Sequence, residues 1–249
     1  MIKLLKKFHA FFYRFNVGWF YIVSFPFFYF FSRKPSRYIY MNKMRKWWGL
    51  ISSLASGIVY KFEYEKPIDW SRNYIICPNH ISNLDITMAS ILAKGNYFFL
   101  GKEELLNKVA TRLFFKTVDI PVNRLSAMSS FRAFKKVGER LKGGANAVIF
   151  PEGTISGNYP PKVIEFKNGP FRLAIEYQVP IIPVTSLDTW KVYWDEGYQK
   201  GSRPGICHIF VHEPIETKGL TVDDADALRD RVHAIISKKF NDGNRQGNS

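Results

Sequence analysis

Three textures of apolar and polar positions divide the chain. Residues 15–31 (FNVGWFYIVSFPFFYFF) carry no charge. As a helix they would reach roughly 26 Å at about 1.5 Å per residue, short of a hydrocarbon core of about 30 Å. Pro26 would kink such a helix. A second apolar stretch, residues 47–60 (WWGLISSLASGIVY), is too short to span. Together they predict a helical hairpin dipping into one leaflet.

Beyond Phe62 the pattern changes to short apolar runs alternating with amphipathic stretches. Residues 74–77 (YIIC), 97–100 (YFFL), 147–150 (AVIF), 179–185 (VPIIPVT) and 206–212 (ICHIFVH) read as strands, several buried on both faces. Helical periodicity marks residues 102–115, 125–142 and 170–178. The second is clearest: Leu125, Met128, Phe131, Phe134, Val137 or Gly138, and Leu141 form one stripe, stopped by Gly143-Gly144. Near the end, Leu228, Val232, Ile235, Ile236 and Phe240 form another, after the capping-box pattern of Thr221 to Asp224. This alternation predicts an α/β fold with a mostly parallel central sheet flanked by helices, and a division into residues 1–60 (membrane hairpin) and 61–249 (α/β domain).

Charge sharpens the membrane reading. The net charge is +15, and the stretch from Met1 to Phe62 holds eleven basic residues and no carboxylate. These cations flank aromatic stretches on both sides, which suits an anionic lipid surface rather than nucleic acid and places both flanks on the cytoplasmic face of the cell membrane. Two cysteines, Cys77 and Cys207, both in apolar runs, are too few for a disulfide scaffold and read as reduced and buried.

Candidate chemistry gathers at strand ends, where open sheets of this class bind ligands. After residues 74–77 come His80 and Asp85. Five residues on one helix turn through about 500°, so the pair shares a face only if a helix begins between them. Ser82 as N-cap with Asp85 at the third helical position would leave His80 on the preceding loop, folding back to Asp85. A cap alone explains Ser82 and Asp85 but not the histidine. A carboxylate that accepts from one imidazole nitrogen leaves the other to remove a proton from a hydroxyl. After residues 147–150 comes Pro151-Glu152-Gly153-Thr154: Glu152 offers an acceptor for substrate hydroxyls, and Gly153 permits close backbone approach and an exposed amide, read as the oxyanion donor. Arg124, just before the 125–142 helix, suits a phosphate, although a surface arginine would look the same. No cysteine-histidine spacing resembles a zinc site, and there is no GxxxxGK[ST] phosphate loop.

In order, NHISNLD (79–85), IPVNR (120–124), FPEGTIS (150–156) and VPIIPV (179–184), with FKNG (166–169) after the third, resemble the four blocks of the glycerolipid acyltransferase family that includes the bacterial lysophosphatidic acid acyltransferases. The likeness covers roughly residues 61–188, and the N-terminal hairpin also looks like the family's. It implies His80 and Asp85 as the catalytic dyad, Arg124 on the acceptor phosphate, and Glu152, Gly153 and Thr154 on its glycerol portion. It also implies a lysolipid acceptor, acyl-coenzyme A or acyl carrier protein as donor substrate, and neither metal nor cofactor. Two departures stand out: Ile155 occupies a position where the family commonly has arginine, and the second block lacks the usual glycine and phenylalanine. Lysolipids with other headgroups, such as an amino-acid-linked lipid, therefore stay open. So do a non-catalytic membrane- or nucleic-acid-binding role, against which the dyad argues, and a thioesterase. The aromatics Trp190, Tyr193 and Trp194 are read as core, with an acyl tunnel as the alternative.

Overall fold

The computed structural model describes residues 1–194 and 201–246. Helix α1 (Ile2–Ser32) and helix α2 (Tyr38–Ala55) form the N-terminal hairpin, joined by a turn of 3-10 helix at Pro35–Arg37. Among the described residues, β1 (Ile58–Tyr64), β2 (Ile75–Pro78), β3 (Tyr97–Lys102), β4 (Ile120–Val122), β5 (Asn146–Val148), β6 (Ile181–Ser186) and β7 (Gly205–Val211) form one sheet. Its order is β1-β7-β6-β2-β5-β3-β4, and every pair is parallel except β6 with β7. The central strands are buried on both faces, as a sheet covered by helices requires.

Two cores form. On one face α5 (Ala127–Lys142), α6 (Gly169–Glu176) and the C-terminal helix α8 (Ala225–Gln246) cover Ile75, Phe98, Ala147 and Ile181. On the other, α3 (Leu84–Leu92) and the hairpin cover Ile76, Val148 and Ile182. The 125–142 stripe is only half used: Phe134, Val137 and Leu141 enter the core, while Leu125, Met128 and Phe131 stay exposed.

Three expectations need correction. The second hairpin arm is Tyr38–Ala55, not residues 47–60, because the chain turns at Gly57 (φ +68°) and residues 58–64 pair with β7. The boundary at residue 60 therefore falls inside β1. The stretch 102–115 is not one helix but a 3-10 segment (Glu103–Asn107) and α4 (Val109–Lys116), separated by Lys108 in an extended conformation. Finally, not every cation of the first 62 residues lies on a flank: Arg45 is buried, pairs with Asp119 at 2.7 Å, and lies over the rings of Tyr97, Phe99 and Phe114.

Helix α1 is fastened to the α/β body along its length. His9 bonds to Ser202 Oγ (2.7 Å) and the Ser56 carbonyl (2.9 Å), Tyr21 donates to the Val109 carbonyl, and Phe28 packs edge-on against Phe114. The opposite face, including Phe8, Phe11, Phe15, Trp19 and Ile22, is exposed.

Candidate active site

Strand β2 ends at Pro78, and the chain leaves it through a loop before α3 begins. Asn79 fixes that exit by exchanging hydrogen bonds with the end of β6: its amide donates to the Ser186 carbonyl (3.1 Å) and its oxygen accepts from the Ser186 amide (2.7 Å). His80 follows, its ring stacked on Phe150 with centroids 4.1 Å apart, and its Nδ1 lies 3.2 Å from Asp85 Oδ2. The loop does bring histidine and carboxylate together. The helix starts one residue later than expected, at Leu84 with Asn83 in the cap position. Ser82 Oγ accepts from the Leu84 amide and donates to the Tyr193 carbonyl.

Asp85 is fully buried and has more partners than the sequence suggested. Oδ2 accepts from the amides of Ile81 (2.7 Å) and Ser82 (2.8 Å), and Oδ1 accepts from Ser186 Oγ and Thr189 Oγ1, both at 2.8 Å. Donors on every side lock the carboxylate in place, and from there it accepts from the Nδ1–H of His80 and leaves Nε2 for a reacting group. Thr189 opens the one-turn helix α7 (Thr189–Val192) and Ser186 closes β6; sequence reasoning missed both. Their signal lay in position, since hydroxyls at the carboxyl end of the strand adjoining β2 must face the same crevice.

The turn after β5 departs from expectation. Glu152 is buried, and both its oxygens are spent on backbone: Oε1 accepts from the His80 amide (2.7 Å) and Oε2 from the Ile164 amide (3.1 Å). Burial pushes its pKa up to about 8, against the pull of those two amides and with a smaller push from Asp85. It braces the His80 loop and also lines the second of the two cavities at this site. The Gly153 amide donates to the Phe150 carbonyl at 3.0 Å, closing the turn, so it is not a free oxyanion donor. Gly153 is nonetheless required: its φ is +74°, and a Cβ there would stand 2.0 Å from Arg124 Nη1. Arg124 Nη1 donates to the Gly153 carbonyl (2.7 Å), joining the second and third blocks. Thr154 is exposed beside them.

Two cavities meet here. One, of about 710 Å³, runs from His80, Phe150 and Tyr193 between the hairpin (Tyr13, Trp48, Ser52) and α4. The other, of about 750 Å³, is lined by the cations Arg124, Lys102 and Lys167 and by Glu104, Glu152 and Glu165. Lys102, Arg124, Gly153 and Thr154 line both. Tyr193 and Trp194 line the first cavity although buried, whereas Trp190 packs edge-on against Tyr159. Among the described residues no cluster of three or more histidines, cysteines or carboxylates is placed to hold a metal. Cys77 and Cys207 are buried free thiols, their ionisation disfavoured by burial.

A sequence model of the acyltransferase family matches residues 59–187, which holds all four blocks. The chain belongs to this acyltransferase family. It is similar to the mouse 1-acyl-sn-glycerol-3-phosphate acyltransferase alpha, 29% identical over 174 residues that cover 66% of this chain and 58% of the relative. It is also similar to the human 1-acyl-sn-glycerol-3-phosphate acyltransferase beta, 30% identical over 191 residues, covering 72% of this chain and 65% of the relative. The chain thus spans less than two thirds of these curated relatives. The crystal structure of the 1-acyl-sn-glycerophosphate acyltransferase of Thermotoga maritima shares the fold, with a TM-score of 0.77, 24% identity and 97% of each chain covered.

Proposed function

We propose that this acyltransferase moves a fatty acyl group from an acyl thioester, acyl-coenzyme A or acyl carrier protein, to the free hydroxyl of a lysolipid, with 1-acyl-sn-glycerol-3-phosphate as acceptor and phosphatidic acid as product. The observation that carries this reading is the place of His80, in the wall of the cavity beneath the hairpin and close to its junction with the cation-lined cavity. The first suits an acyl chain, and the second an anionic headgroup. His80 Nε2 takes the proton of the acceptor hydroxyl as its oxygen attacks the thioester carbonyl. Asp85 stabilises the imidazolium, which returns the proton to the departing thiol as the tetrahedral adduct collapses. General-base assistance of this kind is worth about 10²–10⁴ in rate.

Arg124, Lys102 and Lys167 supply the positive charge that Ile155 does not. Glu104 and Glu165 in the same wall favour a second reading, an acceptor whose headgroup carries an amine, such as an amino-acid-linked lysolipid. The hairpin of α1 and α2 serves as anchor and the α/β body from β1 onward as the catalytic part. Although α1 is long and apolar enough to cross a bilayer, its inner face is bonded to the body from Lys6 to Phe28, which supports a hairpin lying in the cytoplasmic leaflet with its aromatic face in lipid. Purified enzyme offered a panel of lysolipids with one acyl thioester tests the reading. The phosphomonoester acceptor should gain one acyl mass fastest; release of free fatty acid without any acylated acceptor would refute it.

A further inference from the structure

The half of the α5 stripe that does not enter the core is the most conspicuous apolar surface outside the hairpin. Leu125, Met128 and Phe131 are 101%, 59% and 68% exposed, while Phe134, Val137 and Leu141 continue the same stripe inward. Nothing in the fold requires three large apolar side chains to face water there, and such a cluster marks an interaction site. Charge identifies the partner. Between Asp119 and Glu139 the chain carries Arg124, Arg132, Lys135 and Lys136 and no carboxylate. Apolar side chains set among cations match an anionic bilayer, whose headgroups meet the charges while the apolar tips enter the interface.

Position points the same way. Leu125 lines the rim of the cation-lined cavity, so the patch begins where that cavity opens. Across the adjoining cavity, Lys108 and Ala110 flank Val109, which is 82% exposed and whose carbonyl holds Tyr21 of α1. We propose that the start of α5 and the loop just before it, through Leu125, Met128 and Phe131 with Arg132 and Lys135, form a second bilayer contact that seats the cavity mouth on an anionic lipid surface. The contact stands on exposure, charge and its place at the mouth of the cavity that Leu125 lines. Its use, delivering a lysolipid sideways from the leaflet, rests on the acyl-transfer reading above.

The test uses the full chain with Met128→Cys labelled by an environment-sensitive NBD fluorophore; Cys77 and Cys207 are both fully buried, so labelling is selective. On adding phosphatidylcholine vesicles that contain phosphatidylglycerol, emission should shift to the blue and be quenched by a nitroxide on the lipid acyl chains. The same label at Lys218→Cys, next to the residues that bond Gln178 just before the amino end of β6, should not respond. An unresponsive label at position 128 while the chain sediments with the vesicles overturns the proposal. So does a blue shift that appears on concentrating the protein without lipid, which would assign the patch to a second copy. In a second arm, Met128→Ser/Phe131→Ser should lose about tenfold in transfer to vesicle-borne lysolipid, yet stay within about twofold on a short-chain lysolipid dissolved as monomers. Equal loss on both substrates contradicts the delivery role. If wild type transfers no acyl group at all, the acyl-transfer reading fails while the fluorescence still reports on the surface.

Discussion

Glu152 holds the backbone of His80 through a 2.7 Å hydrogen bond from the His80 amide to Oε1, across 72 residues of sequence. The bond ties the turn after β5 to the loop after β2, and with the Phe150 ring stacked on the imidazole it fixes where His80 stands. Glu152 is therefore a positioning residue. Glu152→Gln should reduce kcat by about 10–100-fold, since a small misplacement of a base is costly, and leave the acceptor KM within about twofold. Steady-state kinetics with the acceptor varied check this; a raised KM with unchanged kcat would assign Glu152 to substrate binding.

The raised pKa of Glu152 also makes stability depend on pH. A carboxyl whose folded value is about 8 against 4.5 ordinarily binds its proton more tightly folded than unfolded. Its stabilising contribution is fully present below the unfolded value and is lost as pH rises through about 8. Melting temperatures taken from acid to mildly alkaline pH should show this loss in wild type, and Glu152→Gln should flatten it. Parallel profiles for the two proteins would contradict the assignment.

Ser186 and Thr189 should matter for turnover although neither was singled out in the sequence. Each donates to Asp85 Oδ1 at 2.8 Å and so helps hold the carboxylate against His80. Removing both, in Ser186→Ala/Thr189→Val, should lower kcat by about tenfold, the equivalent of one weak charged hydrogen bond. A kcat equal to that of wild type would mean that the backbone donors of Ile81 and Ser82 suffice.

What was legible in the sequence followed from local physics. The buried strands announce themselves as apolar runs, and the capping box from Thr221 to Asp224 is found as expected. So is the His80–Asp85 approach, because a helix start between them is the one way to bring the two together. The rest depended on tertiary closure. Residues 58–64 alternate as an edge strand does, but the first three of them extend the apolar run of residues 47–60 and so share its pattern in the sequence. The partners of Asp85 lie 101 and 104 residues downstream, and a lone hydroxyl there carries no motif until β6 is laid beside β2. Glu152 is singled out by its place in the turn, but a carboxylate there does not disclose that two backbone amides will also claim it.

The buried Arg45–Asp119 pair should be indispensable to folding rather than to chemistry. It joins α2 to the start of β4, and Asp119 also accepts from the Phe99 amide. Asp119→Ala leaves a buried guanidinium uncompensated and should destabilise the protein by roughly 3–5 kcal/mol. Denaturant unfolding measures this; a loss below about 1 kcal/mol, the value of an exposed pair, would contradict it.

The central claim is that His80 is the general base of acyl transfer. The most direct measurement is single-turnover acyl transfer by wild type and His80→Ala, each shown to be folded and vesicle-bound, with acylated lysolipid followed by mass. The variant should lose about 10²–10⁴ in the rate of product formation while acceptor binding persists. Transfer by His80→Ala at the wild-type rate would contradict the account.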